Sequence, residues 1–422
     1  MKKNKIFISI ASYRDPELIP TIENCIENAD KPKNLVFGIC RQYNPEDKFD
    51  DLKKYKKRKS FRILDIPHKE SKGVCFARNE IQKLYQDEQY YMQLDSHHRF
   101  VPGWDTKLKE TLEELRDNGS KKPLLTAYLP SYDPAAKDEN RLDDVWRMYI
   151  DRFMPEGPIF IFPETIQGWR EENSKPEKAR FTSGHFIFSD GKFCQECPYD
   201  PNLYFHGEES SLAVRAFTWG YDLFHLHKPW IWHHYTREGS ARHWDDAPKW
   251  NYLNKLSFAR YRKLLGMDGI RRHNYKKFGL GKERTLDDYE KYSGIRFKDR
   301  KIQQYTHDRK PPPGPKVSKK EYEKSFVSQF KYCIDVHKPS FTENDYDVWV
   351  IAFKDKNGEE MVRLDADEQE VKNLLNGDPK DDFVRLWRQF ETSDLPKSWL
   401  IWPHSKSKDW MPIIEGEVPS NV

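Results

Sequence analysis

Tyr90-Tyr91-Met92-Gln93-Leu94-Asp95-Ser96-His97 reads as a short, mainly apolar strand that stops at Asp95. Side chains two apart on an extended segment point to the same side, so Asp95 and His97 can meet one ligand. Upstream, Lys5–Ala11 reads as a buried strand and Pro16–Ala29 as the helix after it. Asn34–Cys40 and Phe61–Ile66 read as strands, Val74–Tyr85 and Leu108–Arg116 as helices, and Leu124–Leu129 as a strand. Alternation of this kind over roughly the first 130 residues predicts an α/β fold, a parallel sheet with helices on both faces. Ligands of such sheets bind beyond the carboxyl ends of the strands. Asp95 and the run Ser12-Tyr13-Arg14-Asp15 both sit at such ends.

Farther along, roughly residues 130–180 read as loop-rich, with several prolines. Phe181–Phe188 returns to strand, Glu209–Trp219 to helix, Trp230–Tyr235 to an aromatic strand and Asn251–Leu265 to helix. Lys310-Pro311-Pro312-Pro313-Gly314-Pro315-Lys316 cannot continue a helix and reads as an extended linker. Beyond it, a strand at Asp347–Phe353, a helix at Asp367–Leu375 and a strand at Trp399–Trp402 suggest a small α+β domain. The expected division is a catalytic domain over 1–305, a linker over 306–318 and an accessory domain over 319–422.

The 422 residues carry a formal net charge of +4, which argues against nucleic acid as a bulk partner. The basic run Lys53–Lys59 reads as a solvated helix face. The first ten residues lack the apolar length and cleavage site of a signal peptide. No window approaches the ~18 apolar residues of a membrane span. Six scattered cysteines suit a reducing compartment, so a cytoplasmic location is expected. Cys194 and Cys197 have no second pair at zinc spacing and read as packed thiols.

Asp95-Ser96-His97 offers oxygen and imidazole to a cation, a set that suits manganese. His233-His234-Tyr235 follows another apolar strand and can add an imidazole. Gly207-Glu208-Glu209 opens a helix, where a carboxylate can cap the helix or orient hydroxyl groups. Gly184 permits close approach of backbone to a ligand, or marks a bulge.

Several segments together carry a resemblance. Ser9–Asp15, Lys72–Asn79, Gln93–His97 and Gly103-Trp104-Asp105 resemble the Skp1-type N-acetylglucosaminyltransferase family. Tyr199-Asp200-Pro201, Phe205–Glu209 and His233–Arg237 continue it in order, and Gly279-Leu280-Gly281 with Arg284-Thr285-Leu286 looks like bacterial members. Each piece alone is weak; the ordered set over roughly residues 5–300 is specific. A more distant likeness is to polypeptide N-acetylgalactosaminyltransferases, which also have Asp-x-His before Gly-Trp and a Gly-Glu helix before His-x-x-Arg.

The resemblance implies a GT-A fold, a UDP-sugar donor (UDP-GlcNAc), manganese or else magnesium, and retention at the anomeric carbon. It implies a protein or glycan hydroxyl as acceptor. It puts the metal on Asp95, His97 and a later histidine, with His234 favoured over His233 because His234-Tyr235-Thr236-Arg237 fits His-x-x-Arg. Ser12, Tyr13, Arg14, Asp15, Arg78, Asn79, Asp95, Ser96 and Gly184 are the expected donor contacts. Glu208 and Glu209 are the expected catalytic carboxylates. An inverting transferase using another nucleotide-sugar, with either glutamate as base, remains an alternative, as does a non-catalytic sugar- or nucleotide-binding module.

Overall fold

The computed structural model describes residues 2–237, 240–377, 382–392 and 395–419. The chain forms two compact units. One comprises Met1–Phe153, Gly157–Asp299 and Tyr305–Lys316; the other comprises Met154–Glu156, Arg300–Gln304 and Val317–Val422. The proline-rich segment contains neither helix nor strand and is grouped with the first unit.

The first twelve strands are β1 (Lys2–Tyr13), β2 (Leu35–Tyr43), β3 (Phe61–Pro67), β4 (Glu88–Leu94), β5 (His98–Phe100) and β6 (Pro123–Thr126), then β7 (Trp146–Phe153), β8 (Ile159–Thr165), β9 (Glu177–Lys178), β10 (Phe186–Asp190), β11 (Asp222–His225) and β12 (Ile231–His233). Eight of them form one sheet in the order β3-β2-β1-β4-β10-β6-β11-β9. β1 to β4 are mutually parallel, as the alternation predicts. β10 then runs antiparallel to both β4 and β6. The sheet is therefore mixed rather than parallel throughout, in agreement with the expected GT-A class.

Both faces of this sheet are covered. Ile6, Ile8, Ile10, Met92 and Leu94 face a core shared with Leu18, Ile22, Leu108 and Leu112 of helices Leu18–Glu27 and Trp104–Asp117. Phe7, Tyr91 and Ile187 face the opposite core, with Ile81, Leu212 and Ala216 of helices Val74–Gln82 and Glu208–Thr218. Burial on both faces explains why β1 reads as a continuous apolar run rather than an alternating one.

Register fixes where the functional segments emerge. Ile10 lies opposite Leu94 across the β1–β4 pair, so Asp95 leaves the sheet beside Ala11 and Ser12. β5 restarts three residues later and pairs antiparallel with β12, His98 opposite His233. That short ribbon brings the second histidine segment to the Asp95 turn.

Some segments differ from their sequence reading. The 130–180 stretch contains the β7–β8 hairpin, with Ile150 opposite Ile161. Phe181–His185 precedes its strand instead of belonging to it. The basic run folds as turns, because Tyr55 is buried and stacks on Phe61 at 4.6 Å.

In the second unit Phe326–His337 pairs antiparallel with Phe383–Thr392, and Tyr346–Lys354 with Ser398–Ser405. Helix Glu368–Leu375 contributes Val371 to a core that includes Phe330, Ile334, Trp349, Leu386 and Ile401. It is a small α+β unit, richer in strand than its sequence suggests.

Candidate active site

Beyond the carboxyl edge of the first unit's sheet lies a cavity of about 480 Å³, lined among others by Tyr13, Arg78, Asp95, His97, Gly184 and Glu209. One corner is built by the turn after β4 and the end of β12. His97 Nε2 lies 3.1 Å from His233 Nε2 and 3.9 Å from Asp95 Oδ2. His233 Nε2 lies 3.5 Å from Asp95 Oδ2. Among the described residues, these three form the one group of His, Cys, Asp or Glu side chains arranged to hold a metal ion.

The surroundings prepare these atoms as lone-pair donors. Asp15 Oδ2 accepts the Nδ1 proton of His97 at 2.7 Å, which leaves Nε2 as the nitrogen turned to the corner. Burial, with His97 and His98 nearby, holds the His233 imidazole well below its ordinary pKa against the pull of Asp95, so it is neutral. Burial alone would raise the Asp95 carboxyl, yet His233, Arg78 and His97 together hold it well below the usual carboxylate range. A carboxylate oxygen and two imidazole Nε2 atoms thus converge. Divalent cations bind nitrogen and oxygen at about 2.0–2.2 Å, which sets adjacent ligand atoms about 3 Å apart, so this donor set fits one.

His98 and His185 are buried beside the cluster but are otherwise engaged. His98 Nδ1 donates to the Trp232 carbonyl at 2.9 Å, and its Nε2 accepts the Asp95 N–H at 3.2 Å. His185 Nε2 accepts the Leu129 N–H at 3.1 Å while its ring stacks on His233 at 4.1 Å.

His234 does not join the corner as the sequence pattern suggests. Its Nε2 meets Thr236 Oγ1 at 3.1 Å. Only His233 lies within β12, and its register opposite His98 turns it toward Asp95. His233 therefore replaces His234 as the third candidate ligand.

The opposite corner is the start of helix Glu208–Thr218. Glu208 is buried and takes Arg78 Nη1 at 2.8 Å, with Cys75 Sγ donating to it at 3.1 Å. Glu209 accepts the Gly184 N–H at 2.8 Å and the Tyr128 hydroxyl at 2.7 Å. Burial pushes its carboxyl up to about 7, the Glu208 charge adding to this and the two donors opposing it. Gly184 has no room for a side chain: a Cβ there would lie 2.5 Å from Glu208 Oε1. Arg78 is 2% exposed and also reaches Asp95 Oδ1 at 2.8 Å, so one guanidinium ties the two corners together.

The expected donor contacts divide. Tyr13, Arg78, Asp95, Ser96 and Gly184 line the cavity; Ser12, Arg14, Asp15 and Asn79 do not. Asn79 Nδ2 donates to the Tyr199 carbonyl at 2.7 Å, and Ser12 is fully buried. Arg14 pairs with Asp47 and Asp246, both at 2.8 Å. Asp15 turns inward to Ser96 and His97. Tyr128, His185 and Trp244 line the cavity without having been singled out, since each depends on tertiary contacts that no local pattern announces.

The mixed sheet and the cavity at its carboxyl edge define an α/β fold of ligand-binding type. The sequence matches the Glycosyltransferase (GlcNAc) family over residues 5–57 and 48–299, and the chain belongs to that family. Similar solved structures include GalNAc-T7 with UDP, GalNAc and Mn2+, at 14% identity, 63% of this chain, 49% of that chain and a TM-score of 0.45. Staphylococcus aureus TarS 1–349 with UDP-GlcNAc shows 12% identity over 58% of this chain and 61% of that one, with a TM-score of 0.38. The mannosyltransferase PcManGT of Pyrobaculum calidifontis with GDP-Man and Mn2+ shows 9% identity, 61% and 70% coverage and a TM-score of 0.37. The chain spans about half the length of the GalNAc-T7 structure. No curated protein sequence matches it. Among the described residues no helix is long and apolar enough to cross a membrane.

Proposed function

We propose that the first unit transfers a sugar, GlcNAc from UDP-GlcNAc, to a hydroxyl of a protein or glycan, with retention of configuration and with Mn2+. The convergence of Asp95, His97 and His233 at the carboxyl edge of the sheet carries this reading. Mn2+ is preferred to Mg2+ because two of the three donors are imidazoles. A bound cation supplies charge neutralisation to the departing diphosphate. Tyr13 and Ser96 line the cavity and are the proposed nucleotide contacts, and Arg78 joins Asp95 to Glu208. Glu209 presents a carboxyl group to sugar hydroxyls.

Retention follows the family resemblance. Glu208 is bound by Arg78, whereas the Glu209 carboxyl, pushed up to about 7 and with lone pairs left on both oxygens, keeps a general base available to an inverting transferase. A purely sugar-binding role leaves the convergent cation donors without a use. The six cysteines, all free, agree with a cytoplasmic setting. Nucleoside-diphosphate release, UDP from UDP-GlcNAc, UDP-GalNAc and UDP-glucose and GDP from GDP-mannose, with Mn2+ and with EDTA, tests the donor and the metal. Metal-dependent release that is fastest from UDP-GlcNAc is expected; release indifferent to EDTA sinks the reading. NMR of the product anomer decides stereochemistry.

A further inference from the structure

We infer that Asp15 is not a nucleotide contact but the positioning residue that makes His97 a metal ligand, an inference that rests on the metal-dependent reading above. Asp15 is 1% exposed and lies outside the cavity lining, so it has no surface to offer a donor. Its Oδ1 accepts the Glu17 N–H at 2.9 Å, which fixes the carboxylate plane. Its Oδ2 accepts the Ser96 hydroxyl and His97 Nδ1, each at 2.7 Å, and Arg237 Nη2 stands 3.3 Å away. With donors from two sides and a cation beside it, this carboxylate acts only as an acceptor. His97 therefore carries a proton on Nδ1, and its Nε2 is the nitrogen turned to Asp95 and His233.

The arrangement is asymmetric. His233 Nδ1 is buried with no hydrogen-bond partner, and its ring is held by stacking on His185 at 4.1 Å and by the edge of Tyr235 at 4.3 Å. Only His97 has an acceptor that dictates its tautomer. An acceptor on the remote nitrogen fixes ring orientation and raises ligand basicity, and losing one typically costs ten- to a hundredfold in metal affinity. The Asp15 side chain thus couples the end of β1 to the turn after β4, two adjacent strands that need no ligand to stay in register.

The test is Mn2+ binding followed by electron paramagnetic resonance on the full chain, with no sugar donor present. Asp15→Asn should weaken Mn2+ binding about ten- to a hundredfold. Wild-type affinity in a folded Asp15→Asn chain overturns the inference. A second measurement needs no Asp15 variant. In the metal-free wild-type chain carrying 15N-histidine, the His97 signals, assigned by their loss in His97→Gln, should show Nδ1 protonated. An unprotonated Nδ1 overturns the inference even if Asp15→Asn fails to fold. Should the wild-type chain bind no Mn2+, the metal-dependent reading fails, while the tautomer still decides whether Asp15 sets the state of His97.

Discussion

At the Asp95 corner of the cavity, Arg78 is met by Asp95 Oδ1 alone, and Asp95 Oδ2 and two imidazole Nε2 atoms turn toward one another. At the Glu209 corner, every carboxylate is met by donors: Arg78 and Cys75 on Glu208, Gly184 and Tyr128 on Glu209. The first corner is electrostatically incomplete and becomes favourable when a cation enters. The second is complete as it stands, and a ligand must share hydrogen bonds already made. The contrast assigns charge neutralisation to one corner and substrate orientation to the other, with Arg78 keeping them apart.

The contrast breaks most severely when the incomplete corner loses a ligand. Asp95→Ala and His97→Ala each remove a cation donor worth several kcal/mol of leaving-group stabilisation. Transfer should fall on the order of a thousandfold or more. Rates at saturating donor and Mn2+, measured beside far-UV circular dichroism, check this; near-normal turnover in either folded variant refutes it. Removing the link between the corners comes next. Arg78→Met leaves the buried Glu208 and the partly buried Asp95 without their guanidinium. Breaking a buried pair by taking away one partner costs about 3–5 kcal/mol. Urea unfolding of metal-free protein should register that loss, and an unchanged midpoint would mean the pair is dispensable.

How much of this was legible in the sequence depends on the range of the determining contact. β1 and β4 were readable because burial on both faces writes an apolar run, and Asp95 marks where β4 ends. The reversed β10 and the β7–β8 hairpin were not, since strand direction and pairing are set by contacts distant in sequence. In the second unit, Phe383–Thr392 alternates exposed and buried positions with Arg and Trp on the exposed ones, which blurs its period. At the site, Asp95 and His97 share a turn and read directly. The choice between His233 and His234 depends on the register of two three-residue strands, too short to show a pattern. The division of labour between Glu208 and Glu209 is decided by Arg78, which lies 130 positions from Glu208.

A milder change sharpens the contrast at the complete corner. Glu209→Gln keeps the shape but alters one charged hydrogen bond, worth about 1.5–3 kcal/mol. Transfer should drop roughly tenfold to a hundredfold, with UDP affinity little changed. The variant also carries a pH signature. Burial raises the Glu209 carboxyl from its ordinary value of 4.5 to about 7, so the folded chain retains a proton that the unfolded chain has released. The unfolded state binds fewer protons across that window, and stability falls as pH rises from about 4.5 through about 7. Gln cannot titrate, so this component should vanish from unfolding curves of Glu209→Gln. Identical pH slopes for both proteins would place Glu209 in the ordinary carboxylate range.

The smallest effect expected is at His234, and it is the one that separates register from motif. The His-x-x-Arg pattern points to His234, whereas the pairing of β12 with β5 points to His233. The two side chains leave the backbone in different directions, one to Asp95 Oδ2 at 3.5 Å and the other to Thr236 Oγ1 at 3.1 Å. His234 is only partly buried, so its loss leaves no deep cavity and no unpaired buried charge. His234→Ala should keep Mn2+ affinity within about twofold of wild type, because no ligand atom is removed and surface changes of this kind rarely exceed ~0.5 kcal/mol. His233→Ala should lose Mn2+ affinity by at least the ten- to hundredfold expected on disturbing a ligand's support, since it deletes the ligand itself. The pair is informative only together, measured by Mn2+ titration under one buffer. If His234→Ala is the damaging substitution and His233→Ala the silent one, the cation corner is built on the motif, and the β5–β12 register assigned here is wrong by one residue, which in a strand reverses every side chain.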